Sequence, residues 1–115
     1  MKLDAVRKYA LSLPETTEAP HFDMSSFRVR GKIFCTIPSD RKRLHISVDP
    51  LECEALLAEG LPVFEEIIWG KNPKRDFIRV YLAKADPAQV RELLEDAWRM
   101  KAPKRLVADY DVARG

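Results

Sequence analysis

The residues best suited to chemistry are an imidazole flanked by two carboxylates: Glu18, His21 and Asp23. A histidine next to carboxylates can ligate a metal ion or act as a general base. The stretch around it is polar and has prolines near both ends, so we predict a loop, where this spacing fixes no geometry. The only other histidine, His45, is distant in sequence, and hydrogen bonds that order the loop are therefore the favoured interpretation.

Nucleophilic chemistry has little support in the sequence. Cys35 and Cys53 occur without CxxC or Cys/His spacing, there is no GxSxG motif, and the four glycines form no loop for phosphate. Both cysteines fall at apolar positions of predicted elements, which indicates reduced core thiols. We expect no enzyme activity, no metal site and no cofactor.

A cationic hairpin is the most distinctive feature. "FRVRGKIFCTI" (27–37) alternates apolar residues with bases and turns at Gly31, and residues 28–43 contain six bases against the single acid Asp40. The bases are Arg28, Arg30, Lys32, Arg41, Lys42 and Arg43. Residues 50–66, in contrast, hold five glutamates and no base. This segregation indicates a basic side suited to phosphates and an acidic side, although a plain solvated sheet face is the alternative for the hairpin.

A second basic loop carries an aromatic residue. Trp69 precedes Gly70 and the segment "KNPKR", which supplies Lys71, Lys74 and Arg75. An aromatic ring beside bases is the combination that single-stranded nucleic acids use for stacking and charge neutralisation. A tryptophan before a turn more often anchors the loop to the core, and that alternative is favoured here.

The elements that must position these residues alternate in type. Apolar spacing predicts a first helix over 4–13, and "RLHISV" and "FIRVYL" alternate as strands. Asp49-Pro50 and Asp86-Pro87 are helix starts, and Gly60 ends the helix that begins at Asp49. "VFEEIIWG" is ambiguous between strand and short helix, and Pro103 separates the last long helix from a short final one. We predict an α+β fold: a single domain over 1–115, with a mostly antiparallel five-stranded sheet packed by helices, in the order α-βββ-α-ββ-αα.

The register of the cationic hairpin is open. A two-residue turn on Arg30-Gly31 is the commoner chemistry and places Phe27 on the face of Phe34. A three-residue turn instead groups Phe27 with Ile33, Cys35 and Ile37 on one apolar face. The side-chain pattern favours the three-residue turn.

Composition is that of a globular protein of 115 residues, with 46% hydrophobic and 33% charged residues. No apolar run approaches the ~18 residues that span a bilayer, and the first residues mix charges into apolar positions, unlike a signal peptide. We expect a cytoplasmic protein with no membrane association.

Four stretches in order resemble the MmcQ/YjbR-like family: "LSLPETTEAPHFDMSSFRVRGKIFCTI", "DPLECEALL", "FIRVYL" and "LLEDAWRMKAPKRLVADY". The resemblance implies a CyaY-like fold and, through a proposed "double wing" arrangement, a DNA-binding role. Phe77 lies where the family often has tryptophan, and Ala97-Trp98 lies where it often has Ser-Tyr. These differences keep an aromatic ring at both places but remove polar groups, so the resemblance implies similar aromatic packing and gives weaker support to polar roles. Frataxin-like iron binding does not transfer, because the first helix carries Lys2, Arg7 and Lys8 and is not acidic.

The function predicted from these observations is weak, sequence-indifferent binding of DNA phosphates by a non-enzymatic protein, a monomer or weak homodimer. The nine bases of the hairpin and loops named above would form the surface. Two alternatives remain open: binding of a basic protein partner by the acidic face of the second helix, and binding of a small molecule in a pocket formed by Glu18, His21, Asp23 and Trp69.

Overall fold

Four helices and six strands make up the computed structural model, which describes residues 1–115. The helices are α1 (Leu3–Ser12), α2 (Pro50–Glu59), α3 (Pro87–Lys101) and α4 (Lys104–Arg114). The strands are β1 (Thr16–His21), β2 (Met24–Val29), β3 (Lys32–Ile37), β4 (Arg43–Ser47), β5 (Phe64–Trp69) and β6 (Asn72–Tyr81). The predicted α+β class is confirmed.

The helices begin where the Asp-Pro pairs predict. The Asp49 carboxylate accepts hydrogen bonds from the backbone amides of Leu51 and Glu52 at 2.9 and 3.1 Å, and Asp86 accepts one from Ala88 at 3.0 Å. These contacts satisfy amides that have no partner within the helix. Gly60, with φ of 67°, ends α2 in a conformation that favours glycine.

The strands form one sheet in the order β1-β2-β3-β4-β6-β5, with every neighbouring pair antiparallel. Helices α1, α2 and α3 pack on one face of this sheet. The core between the layers contains alternate strand residues such as Leu44, Ile46, Ile78 and Val80, all buried. No element covers the other face, so the remaining strand residues point away from the core.

The sheet has six strands and not the predicted five, because residues 16–21 form β1 along the edge of the sheet. The sequence predicts a loop for this stretch, since it is polar and contains Pro20. An edge strand tolerates both features, because one of its sides needs no hydrogen-bonding partner and its outer face meets water. The ambiguous segment "VFEEIIWG" also proves to be a strand, β5.

The predicted three-residue turn in the cationic hairpin is wrong. Val29 pairs with Lys32, so the turn has two residues, Arg30 and Gly31, with φ of 51° and 80°. The register then shifts, and Arg28 opposes Ile33 while Phe27 opposes Cys35. This bulge puts an extra residue into β3. As a result, Phe27 and Cys35 both face the core, which a two-residue turn without a bulge would not allow.

Trp98 of α3 is fully buried, and its Nε1–H donates a hydrogen bond to the Pro14 carbonyl at 3.0 Å. Its ring meets Tyr110 of α4 edge to face, with centroids 4.9 Å apart.

Cys35 and Cys53 are buried and form no disulfide with each other. No helix combines the length and the apolar character needed to cross a membrane.

Candidate functional site: a groove on the open face of the sheet

The open face of the sheet is concave and forms a groove of about 620 Å³, hereafter the sheet groove. Strands β2, β3, β4, β5 and β6 supply most of its lining, because outward residues on neighbouring strands fall side by side. The lining residues are His21, Met24, Arg28, Gly31, Ile33, Thr36, His45, Ile67, Ile68, Trp69, Lys74, Phe77, Arg79 and Lys101.

Charge in the sheet groove has one sign. Arg28, Lys74, Arg79 and Lys101 line it, and no aspartate or glutamate does. Two of these cations have carboxylates next to them, since Arg79 lies 2.9 Å from Glu65 and Lys74 lies 3.3 Å from Asp76. The groove therefore offers an excess of positive charge to an anion.

Arg28 is the cation best prepared for such an anion. Its Nε–H donates to the Ser26 hydroxyl at 3.0 Å, and Nη2 donates to the Pro20 carbonyl at 3.4 Å. These neutral partners hold the guanidinium in place without cancelling its charge. A carboxylate or phosphate in the groove would meet a positioned, uncompensated cation.

Aromatic surface lies beside these cations. The Trp69 side chain is 69% exposed at the end of β5, and Phe77 lines the groove from β6. Lys74 Nζ lies 5.9 Å from the Trp69 ring centroid and 5.2 Å from that of Phe77, within cation–π range. The favoured expectation that Trp69 anchors its loop in the core is wrong, because the ring stands at the tip of a hairpin, where no second layer reaches it.

His45 lies on the floor of the sheet groove and is neutral at physiological pH. Burial, with the nearby charges of Arg79 and Arg43, lowers the pKa of His45 to about 4. Its Nε2 accepts a hydrogen bond from Arg79 Nε at 3.2 Å. Glu65, on the other side of Arg79, has a lowered pKa because it accepts hydrogen bonds from Tyr81 and Arg79. The chain Tyr81–Glu65–Arg79–His45 fixes Arg79 in orientation.

The predicted basic residues divide between two ends of the sheet. The turn of β2–β3, closed by Val29 and Lys32, and the turn of β5–β6, closed by Trp69 and Asn72, project at the same end. There they flank the shorter β4, which ends at Ser47. Arg28, Arg30, Lys32, Lys71, Lys74 and Arg75 lie on these two hairpins.

The remaining predicted bases, Arg41, Lys42 and Arg43, lie in or next to the β3–β4 turn at the opposite end. Ion pairs also reduce the free charge at the hairpin end. Arg30 pairs with Glu15, with Nη2 3.0 Å from Oε2, and Arg75 lies 3.2 Å from Glu66. The nine bases therefore do not form the single continuous surface that the sequence suggested.

The predicted acid–histidine group does not converge. Glu18 accepts two hydrogen bonds from Arg7 Nε, at 2.9 and 3.1 Å, and this contact lowers the pKa of the carboxyl group. His21 and Trp69 both line the sheet groove, whereas Glu18 and Asp23 line a separate shallow depression together with Phe22, outside the sheet groove. Nowhere in residues 1–115 do three or more His, Cys, Asp or Glu side chains cluster as metal ligands would.

Sequence reasoning missed Arg79 and Lys101 as groove residues. Arg79 has a readable signal, because it alternates with buried Ile78 and Val80 and so shares a face with His45 on the neighbouring strand. Lys101 comes from α3, on the other layer, and no strand pattern could bring it to the groove.

Two solved structures have a similar fold. A crystal structure of Deinococcus radiodurans protein DR2400, with a DUF419 domain, superimposes with a TM-score of 0.71 at 23% identity, covering 86% of this chain and 77% of that one. A crystal structure of a Pseudomonas syringae protein gives a TM-score of 0.67 at 17% identity, covering 88% and 99%. Identities this low support a shared fold and no shared activity.

No curated protein is similar enough to match the chain. The sequence model of the YjbR family matches residues 11–100, and this confirms the resemblance found in the sequence motifs. The matched range contains β1 to β6 and nearly all of α3, and so includes every strand of the sheet groove. The chain belongs to the YjbR family.

Proposed function

We propose that this protein is a non-catalytic nucleic-acid-binding module that holds a single strand in the sheet groove with little regard to sequence. The observation that carries the proposal is the lining itself: four cationic side chains and no carboxylate, beside an exposed tryptophan. The uncompensated guanidinium of Arg28 suits a phosphate, and the ring of Trp69 suits a base.

A single strand fits the groove better than a duplex does. Bases inside a duplex are stacked on each other, so an exposed ring such as Trp69 gains a base partner only from an unpaired strand. The cations lie within the concave face beside this ring, where a flexible backbone can follow them. The "double wing" role implied by the family resemblance agrees with the two hairpins that project at one end, and it adds support to nucleic acid as the ligand.

Affinity for labelled oligothymidylate, followed by fluorescence anisotropy at low salt, tests the proposal. Trp69→Ala should weaken binding about fivefold or more, since a stacked base is worth about 1–3 kcal/mol, and Arg28→Ala should also weaken it, through loss of a phosphate contact. Arg91→Ala is the matched control, because Arg91 is exposed on α3 and is not a groove residue. An absence of binding, or equal weakening by all three substitutions, would contradict the proposal.

A small anionic ligand is the second candidate. The groove volume of about 620 Å³ falls within the range of small-molecule sites, and His21 and Trp69 border it as that alternative requires. A mononucleotide distinguishes the two candidates. If it binds as tightly as the oligonucleotide, the site takes one small ligand, whereas a strand that contacts several cations should bind much more tightly.

A further inference from the structure

We propose a second binding site at the other end of the sheet, which takes an acidic segment of a partner protein through carboxylates and apolar side chains together. The site is a groove of about 950 Å³, hereafter the distal groove, with Lys2, Arg41, Lys42 and Lys84 among its lining residues. It lies at the β3–β4 turn, away from the two hairpins of the sheet groove, and it does not depend on the function proposed above.

The cations that line the distal groove form no ion pairs within the chain, and of these only Arg41 also borders the depression that holds Asp23. Lys2, Arg41, Lys42 and Lys84 make no ion pair, and no aspartate or glutamate lines the groove. The nearest acid in sequence, Asp40, is already 2.7 Å from Arg43 Nε. Four cations gathered without an anion repel one another, and a carboxylate-rich partner relieves that repulsion.

The floor of the distal groove is apolar. Leu61 is 64% exposed, and it borders the groove together with Pro62, Leu82 and Leu3. An exposed leucine surrounded by bases gives an apolar centre with a cationic rim, the arrangement typical of protein interfaces. The matching occupant carries apolar side chains flanked by aspartate or glutamate.

A peptide fits this groove better than a lipid or a nucleic acid does. The groove is more open to solvent than enclosed, so an acyl chain lying in it would remain largely in water. Tyr81 is its only aromatic residue and is half-buried, so the groove has no exposed ring comparable with Trp69 for stacking. A peptide buries single side chains against Leu61 while its carboxylates reach the rim.

A short fluorescein-labelled peptide in which glutamates alternate with leucines tests the inference by anisotropy on the full chain. It should bind, and binding should be lost when glutamines replace its glutamates or serines its leucines. Lys84→Glu should weaken binding about tenfold, because one attraction becomes a repulsion, and Leu61→Ser several-fold. Both residues are exposed, so both variants should fold.

Lys104→Glu is the matched control, since Lys104 is an exposed base on α4 outside the groove, and it should change peptide binding less than twofold. Arg28→Ala should leave peptide binding unchanged, which separates this site from the sheet groove. An absence of peptide binding or an equal loss with Lys104→Glu would overturn the proposal. Competition by oligothymidylate, or binding of phosphatidylglycerol vesicles in place of the peptide, would also overturn it.

Discussion

The two tryptophans occupy opposite environments, and replacing each by alanine should separate stability from binding. Trp98 is 0% exposed, bonds to the Pro14 carbonyl and packs on Tyr110. Trp98→Ala removes the largest buried side chain of the core and leaves that carbonyl without its donor. We expect the free energy of unfolding to fall by about 3–5 kcal/mol, which is a large part of the roughly 5–15 kcal/mol typical of a small domain.

Trp98→Phe separates the contribution of the buried ring from that of the hydrogen bond to Pro14. The smaller ring keeps much of the buried area but cannot donate to Pro14, so about 1–2 kcal/mol should be lost. Trp69→Ala is the control, because the Trp69 side chain is 69% exposed, and its substitution should change stability by less than ~0.5 kcal/mol.

Urea unfolding followed by far-ultraviolet circular dichroism measures these differences without relying on tryptophan emission. A loss below about 1 kcal/mol for Trp98→Ala would refute the assignment of Trp98 as a core anchor. A loss for Trp69→Ala as large as that for Trp98→Ala would refute the assignment of Trp69 to an exposed binding surface.

Three further predictions concern protonation, thiols and a helix cap. His45 takes up a proton near pH 6.5 in the unfolded chain and near pH 4 in the folded protein, so the free energy of unfolding should fall by ~2 kcal/mol, after allowance for solvent access, as pH drops through that window. Urea unfolding of His45→Gln at several pH values should show that this dependence is lost. An unchanged pH dependence would contradict the assignment of His45 as a buried neutral imidazole. Burial raises the pKa of the Cys35 and Cys53 thiols, so both should react with a thiol reagent only after denaturation, and rapid reaction in the native state would be inconsistent with burial. Asp49→Ala should cost about 1 kcal/mol in the same unfolding assay, through loss of the two amide contacts of the cap, and no loss would show that the cap contributes nothing.

The sequence predicted the fold well where local chemistry decides the structure. The Asp-Pro pairs at Asp49 and Asp86 set both helix starts, and the alternation in "RLHISV" and "FIRVYL" set two central strands. These signals depend on neighbouring residues alone, so tertiary contacts did not change the secondary structure that they predict.

The failures arise where a partner strand decides the structure. Thr16–His21 has strand-favouring residues only at Thr16 and Thr17 and contains Pro20, and it becomes β1 by pairing with β2. The hairpin register depends on a bulge opposite Phe27, and a bulge lets a short turn and a continuous apolar face coexist. Neither the pairing of β1 nor the bulge can be derived from the residues of one strand alone.

The candidate site was predictable in composition and not in arrangement. The bases and Trp69 were identified, yet which bases keep their charge depends on distant acids such as Glu15, the partner of Arg30. Bases that are close together in the sequence also lie far apart in the structure, since Arg41 and Lys42 are at the opposite end of the sheet from Arg28. Sequence distance carries no information on either point.

The dependence of oligothymidylate affinity on salt tests the central claim most directly. If Arg28, Lys74 and Lys101 contact about three phosphates of a single strand, log affinity should fall against log salt concentration with a slope of about −2. The Arg28→Ala, Lys101→Ala double variant should flatten that slope to roughly −0.7, while the Arg91→Ala, Lys104→Ala double variant should retain it. Equal slopes for both double variants, or no measurable binding by the wild-type protein at low salt, would contradict the claim that the sheet groove binds nucleic acid.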